Sequence, residues 1–169
     1  MSKVVFVLDK IDNGGLQKVN AEIANILSED YDVEIFTLEK KKPYFKVDSE
    51  IKILTPMEFD RFYNIKLFFV KSVNLLYKKI FQKSMEYRLS FQLSYLKKYI
   101  KSDVGEVVLS GFSILFVDEL KKSFPNIRFI MWMHSNANVY LKTYFKYEYN
   151  YLISSMKSAD KLIVLNTKD

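Results

Sequence analysis

Two adjacent glycines and a short polar run around the one histidine are the residues of this chain best suited to chemistry. Gly14 and Gly15 are two of only four glycines, and they separate an apolar run from an amphipathic helix. Glycine lets a backbone approach a ligand closely, and a helix start offers unpaired N–H groups to an anion. A plain strand-to-helix turn explains the pair equally well. The pair therefore predicts either an anion-binding turn or a simple structural one, and Lys18 is either a nearby charge or a solvated helix residue.

The single histidine, His134, ends the apolar run at 129–133. A lone histidine usually has a structural role, yet the carboxyl end of a parallel strand is where α/β proteins bind ligands. Both interpretations stay open for His134. Ser135 and Asn136, which follow it, are expected either to cap the next helix or to hydrogen-bond a ligand.

Alternating strands and helices position these residues. The pattern predicts strands at 3–8, 33–38, 51–54, 107–109, 127–133 and 161–165. It predicts helices at 15–28, from 111 to about 124, and at 139–156, and an inserted helical region at 64–101. Apolar-run strands alternating with helices indicate a parallel sheet covered on both faces. The expected fold is a single α/β domain over 1–169, a Rossmann-like doubly wound parallel sheet.

Composition and missing motifs exclude several function classes. The chain has 169 residues, 49% of them hydrophobic, and no cysteine, so disulfides and thiolate metal sites are excluded. With one histidine as well, no metal site is predicted. Neither a dinucleotide fingerprint nor a phosphate-binding Walker loop is present, so no cofactor is predicted. No apolar run approaches the length of a membrane span, and we expect a cytoplasmic protein.

The basic residues are concentrated in the inserted region. Between Arg61 and Lys101 the sequence has ten basic residues and one acid, a net charge of +9 against +6 for the whole chain. Apolar residues recur there at helical spacing in two sets: Ile65, Phe68, Phe69, Val73, Leu76 and Ile80, then Met85, Leu89, Leu93, Leu96 and Ile100. One interpretation is two ordinary helices packed on the sheet. The other is a basic, aromatic face resting on an anionic surface through Lys71, Lys78, Lys79 and Lys83.

Three segments together resemble a known enzyme family. Residues 14–28 begin Gly-Gly-Leu-Gln-Lys-Val, residues 31–38 read Tyr-Asp-Val-Glu-Ile-Phe-Thr-Leu, and 158–167 place an Ala-Asp before an apolar strand. This order is similar to the amino-terminal domain of the group 1 (family 4) GT-B glycosyltransferases, which carry a Gly-Gly-small-Glu-Arg-Val loop. Gln17 and Lys18 stand where Glu-Arg is usual, so the basic position is kept in type and the acidic one is not.

The resemblance implies a function and a role for each candidate residue. It implies the acceptor-side domain of a retaining hexosyltransferase, which moves a sugar from a nucleotide-sugar donor to a glycan, lipid-linked or cell-wall polymer acceptor. His134 would be the catalytic contact to a hydroxyl. Gly14, Gly15 and Lys18 would lie at the donor cleft, and Ser135 and Asn136 would bind the acceptor.

The resemblance also implies partners and a location. A carboxyl-terminal donor-binding domain, absent from these 169 residues, would be supplied in the same or a partner chain, and this domain alone is expected to be inactive. No metal is implied, and nucleic acid is not expected. The location would be cytoplasmic and peripheral on the inner face of the membrane. The alternative is a stand-alone binding module that uses its basic aromatic face on an anionic membrane or on RNA.

Overall fold

A computed structural model describes residues 3–40, 42–84 and 86–164. Its centre is one parallel sheet of six strands in the order β3-β2-β1-β4-β5-β6. The strands are β1 (Lys3–Leu8), β2 (Asp32–Thr37), β3 (Lys52–Leu54), β4 (Val104–Ser110), β5 (Arg128–Met133) and β6 (Lys161–Val164). The expected end of the last strand at Leu165 and the apolar residue Met85 lie outside the described residues.

Helices cover both faces of this sheet. They are α1 (Gly15–Leu27), α2 (Tyr63–Phe81), α3 (Glu86–Tyr99), α4 (Val117–Ser123), α5 (Ala137–Val139) and α6 (Tyr149–Ser158). Short 3₁₀ turns occupy Pro56–Glu58 and Gly111–Phe116. Strand side chains alternate between the faces, so Val4, Phe6 and Leu8 of β1 pack with α1, whereas Val5 and Val7 pack with α3, α4 and α6. The predicted α/β doubly wound architecture is confirmed.

The amino-terminal edge of the sheet is closed by a buried polar cluster. Glu34 of β2 is 6% exposed. It accepts a hydrogen bond from the Tyr99 hydroxyl at 2.5 Å and pairs with Lys3 Nζ at 3.0 Å. The Tyr99 ring also stacks on Phe36 with centroids 4.5 Å apart. A buried carboxylate needs hydrogen-bonding partners, and Tyr99 is one of them. This contact therefore holds the end of α3 against the sheet.

The inserted region forms two helices that pack differently. The apolar row of α3 is buried as expected, including Leu89, Leu93 and Leu96. The apolar row of α2 faces outward, and its members are 51–71% exposed: Ile65, Phe68, Phe69, Val73, Leu76 and Ile80. Of the two interpretations, packing of both helices on the sheet is therefore wrong for the apolar row of α2.

The inward face of α2 explains this reversal. Three residues of α2 are buried on this face: Tyr63, Leu67 and Asn74. Two lysines on the same face form ion pairs with the rest of the domain, Lys71 with Glu39 and Lys78 with Glu148. These ion pairs thus fix which face of α2 contacts the domain, and the apolar face is exposed to solvent.

The predicted helix at 139–156 is broken. A π-helical turn at Tyr140–Tyr144 follows α5, the chain bends at Phe145, and α6 begins only at Tyr149. Wide turns of this kind are often found at functional sites, because they change the direction in which side chains point. Here the turn contributes two tyrosines to the cavity described below.

Among helices within 3–40, 42–84 and 86–164, none combines the length and apolar character needed to cross a membrane.

Candidate functional site

The order of the strands reverses at the centre of the sheet, between β1 and β4. From β1 the chain proceeds to β2 and β3 on one side, and from β4 to β5 and β6 on the other. The loops leaving two such strands diverge, which opens a crevice at their carboxyl ends where α/β proteins bind ligands. Asp9 is the first residue after β1, and Gly111 is the first residue after β4.

Asp9 bridges the two central strands at this point. Both of its carboxylate oxygens accept from the backbone N–H of Phe112, each at 2.9 Å. Gly111 has φ +69°, and a Cβ there would lie 2.7 Å from Asp9 Oδ2. Glycine is thus required by both the backbone conformation and the close approach of the carboxylate.

Burial raises the pKa of Asp9 to about 6, although the hydrogen bond from Phe112 works in the opposite direction. Charges nearby also contribute: Glu39 raises this pKa, while Lys71 and Arg88 lower it. A carboxyl that changes its protonation near neutral pH is able to hold or release a proton in the crevice.

His134 is held by contacts on several sides. Its ring stacks on Trp132 with centroids 4.6 Å apart, and its backbone N–H donates to the Tyr140 hydroxyl at 3.2 Å. Asn20 Nδ2 lies 3.5 Å from His134 Nε2, and Asn20 Oδ1 accepts from the Ser110 hydroxyl at 3.3 Å. Since Nδ2 can only donate, this contact is a hydrogen bond in the tautomer whose Nε2 accepts and whose imidazole proton is on Nδ1.

The environment of His134 favours its neutral form. Burial lowers the pKa of His134 below its ordinary value of 6.5. With Nε2 facing Asn20, a neutral imidazole at the carboxyl end of β5 leaves its Nδ1–H as the donor for a ligand hydroxyl.

A cavity of about 580 Å³ lies over this edge of the sheet. This volume falls within the range of small-molecule sites. Its lining combines two charged groups, an imidazole and three hydroxyls with aromatic walls: Asp9, Leu16, Arg88, Gly111, Phe112, His134, Ser135, Tyr140, Tyr144 and Phe145.

Only part of the sequence-based candidate set meets in this cavity. His134 and Ser135 line it, whereas Gly14, Gly15, Lys18 and Asn136 are not among its lining residues. Asn136 Oδ1 accepts from the Asn138 N–H at 2.7 Å, the capping arrangement that sequence offered as one alternative.

The Gly14–Gly15 turn leads straight into α1, and no side chain caps its start. Leu16, one residue further on, does line the cavity, so the turn lies beside it. Lys18 is exposed and faces Glu22 at 3.8 Å, which agrees with a solvated helix residue.

Sequence reasoning missed Asp9 and Arg88. Asp9 carried a usable signal, because it is an acid directly after a buried strand. Arg88 carried none, since it is one of many basic residues in its region and reaches the cavity only through the packing of α3.

The four lysines proposed for an anionic surface separate into two pairs. Lys71 is bonded to Glu39 after β2, and Lys78 to Glu148 before α6, so both point toward the domain. Lys79 and Lys83 are exposed, and neither makes an ion pair with a residue in the described part of the chain. Within 3–40, 42–84 and 86–164, no group of three His, Asp or Glu side chains is placed to hold a metal ion.

Comparisons with known proteins add little to this geometry. No family model and no curated protein matches the chain. Among solved structures, the crystal structure of an uncharacterized protein from Alicyclobacillus acidocaldarius is similar at 14% identity over 96% of this chain and 70% of that one, with a TM-score of 0.20. A likeness at this level carries no functional argument.

Proposed function

We propose that the chain is the acceptor-side domain of a retaining glycosyltransferase, with the cavity at the carboxyl ends of β1, β4 and β5 as the place where the acceptor hydroxyl is held. The observation that carries this proposal is the meeting of Asp9, His134 and Ser135 around one open cavity at the point where strand order reverses. The resemblance of residues 14–28 and 31–38 to the GT-B glycosyltransferases supplies the reaction class.

The chemistry assigned to the chain follows from its own groups. The neutral His134 imidazole, fixed by Trp132 and Asn20, orients an acceptor hydroxyl, and Ser135 offers a second hydrogen bond. Fixing the attacking oxygen in this way lowers the entropic part of the barrier. Asp9 is positioned to accept a proton at the cavity wall. The nucleotide-sugar donor would be held by a separate carboxyl-terminal domain, in the same or a partner chain.

Binding of soluble acceptor analogues tests this assignment. Octyl glucoside and octyl galactoside, kept below their micelle concentrations, should shift the NMR signals of the His134 ring and the Trp132 indole N–H. Both are single residues of their type, so the signals are unambiguous. Backbone signals at the opposite edge, such as Lys3, should not move. No shift at His134 or Trp132 with millimolar glycoside would count against an acceptor site here.

A second candidate function, binding to an anionic membrane, is favoured by the outward face of α2. Monomeric proteins rarely expose a continuous apolar patch of this size, and such a patch usually marks an interaction surface. Phe68 and Ile80 are 67% and 71% exposed, and α2 is about 28 Å long at 1.5 Å per residue. The cations Lys79 and Lys83 accompany this face, and apolar side chains flanked by lysines suit a leaflet of anionic lipid. The two functions are compatible, because a lipid-linked acceptor would lie in that same membrane.

Vesicle sedimentation tests the membrane assignment. The chain should bind vesicles that contain phosphatidylglycerol more strongly than pure phosphatidylcholine, and salt should weaken this binding. Burying one Phe is worth about 1.5–3 kcal/mol, so the double change Phe68→Ser with Phe69→Ser should weaken it at least roughly tenfold even if the rings insert only partly. The matched control replaces Tyr31 and Tyr44, exposed aromatics outside α2, with serine.

The charge contribution needs its own pair of variants. Replacing Lys79 and Lys83 with glutamine should weaken binding to the anionic vesicles, whereas the same change at Lys52 and Lys157 should not. Equal binding by the α2 variants and their controls would contradict the membrane assignment. Salt-dependent binding to RNA that exceeds binding to vesicles would assign the face to nucleic acid instead.

A further inference from the structure

The guanidinium of Arg88 lies in the cavity without a bonded counter-ion. It sits over the Phe112 ring, with Cζ 4.1 Å from the centroid. Its Nε is buried and has no hydrogen-bond partner, and Arg88 forms no ion pair with any residue of 3–40, 42–84 or 86–164. Burial lowers the pKa of Arg88, the sign of a cation that has lost part of its hydration. Buried charges are normally paired, so an unpaired one needs an explanation.

Three carboxylates lie close enough to stabilise Arg88 electrostatically, yet at least one oxygen of each is bonded to another group. They are Glu148, Asp9 and Glu39. Asp9 uses both oxygens on the Phe112 N–H, and Glu39 is bonded to Lys71. Glu148 is bonded to Lys78 through Oε1. The arrangement surrounds Arg88 with negative charge that holds it in place but leaves its donors unused.

Most of the other polar groups around Arg88 in the cavity are also able to donate. The Tyr140 hydroxyl accepts from the His134 N–H, which leaves its own proton free to donate. Ser135 and Tyr144 supply two further hydroxyls. A guanidinium with several O–H donors in one cavity is suited to an oxyanion, and the planar N–H fork of arginine matches the oxygens of a phosphate.

We infer that Arg88 binds a phosphate group of the substrate that occupies this cavity. This inference rests on the proposed function, since it makes the substrate a phosphate-bearing one. The phosphate has two candidate sources, a lipid-linked acceptor or the nucleotide-sugar donor.

Titration with defined probes tests the inference. The probes are inorganic phosphate, farnesyl phosphate for the acceptor source, and UDP-glucose for the donor source. Trp132 is the only tryptophan and stacks on His134 at the cavity, so its fluorescence reports binding directly. We expect Arg88→Gln to weaken binding of the cognate probe at least tenfold and Arg88→Lys to weaken it less, since lysine keeps the charge but loses the fork.

Arg128→Gln is the matched control. It removes the same charge from an exposed arginine that pairs with Glu106 at 2.9 Å, at the opposite edge of the sheet. Its affinity for every probe should equal that of the wild type. The probe whose binding depends on Arg88 identifies the source: farnesyl phosphate assigns the acceptor, and UDP-glucose assigns the donor.

One internal contact would overturn the inference. Glu148 Oε2 is buried without a partner, so Arg88 could pair with it instead of with a ligand. In that case Arg88→Gln would sharply lower the melting temperature and no probe would bind in an Arg88-dependent way. The inference expects the opposite, a melting temperature that Arg88→Gln leaves unchanged or raises. Arg88-dependent phosphate binding without sugar transfer would refute the proposed function and support the phosphate site. Sugar transfer that does not depend on Arg88 would support the proposed function and refute the phosphate site.

Discussion

Replacing Asp9 with asparagine should make the stability of the domain less dependent on pH. Burial raises the pKa of this carboxyl from its ordinary value of 3.8 to about 6. A raised pKa means that the folded state binds the proton more tightly than the unfolded chain does. The stabilisation from the protonated form is therefore complete below pH 3.8 and is lost as the pH rises through about 6.

The size of the effect follows from the same two values. A pKa of about 6 in place of 3.8 corresponds to at most roughly 3 kcal/mol, because one pKa unit is worth about 1.4 kcal/mol. About 2 kcal/mol of this falls between pH 4.5 and 8. The asparagine oxygen still accepts from the Phe112 N–H, and any cost of its unpaired amide group is constant with pH.

Urea unfolding at a series of pH values measures the effect. The stability of Asp9→Asn relative to the wild type should rise by about 2 kcal/mol between pH 4.5 and 8, whatever its offset at the acid end. Asp30→Asn, at an exposed position, should stay within about 0.5 kcal/mol of the wild type throughout. A difference between Asp9→Asn and wild type that does not change with pH would refute the assignment of a raised pKa.

Three further predictions concern other contacts of the fold and site. Gly111→Ala should cost about 1–3 kcal/mol in unfolding free energy, because φ is +69° and the new Cβ meets a carboxylate, whereas Gly15→Ala has open space and should be neutral or slightly stabilising. The His134 ring signals, followed by NMR against pH, should titrate with a midpoint below 6.5, and a midpoint at or above this value would contradict its partial burial. Tyr99→Phe should lower the free energy of unfolding by about 1–3 kcal/mol, because it removes the hydroxyl that donates to the buried carboxylate of Glu34. Tyr31→Phe, at an exposed position, should change it by less than about 0.5 kcal/mol. Equal effects of the two changes in thermal unfolding would show that the buried hydrogen bond does not stabilise the fold.

Much of the sheet could be predicted from the sequence because its strands are buried on both faces. β1 and β5 are continuous apolar runs, and the Gly14–Gly15 turn marks the start of α1. The order of the strands and the crevice between β1 and β4 depend on long-range pairing, which leaves no local pattern. Sequence therefore located His134 at a strand end but not the residues that come to lie beside it.

The two errors have different physical causes. Periodicity shows that α2 has an apolar side, but which side faces the domain was decided by ion pairs of Lys71 and Lys78 with distant residues. The helix predicted at 139–156 is interrupted by a π-helical turn and a bend at Phe145, which is buried, and five tyrosines make this segment a weak helix former. For α2, long-range contacts decided the outcome; at 139–156 the prediction overrated a weak local signal.

Sugar transfer is the most direct test of the central claim, that the cavity holds the acceptor of a glycosyltransferase. Membranes from cells that express the native gene would be incubated with radiolabelled nucleotide sugars, and transfer to extractable glycan measured for the wild type, His134→Ala and Arg128→Gln. The proposal predicts transfer with retention at the anomeric carbon by the wild type and Arg128→Gln, and a loss of at least about a hundredfold in His134→Ala. Absence of transfer from every nucleotide sugar, or transfer by His134→Ala at the wild-type rate, would contradict it.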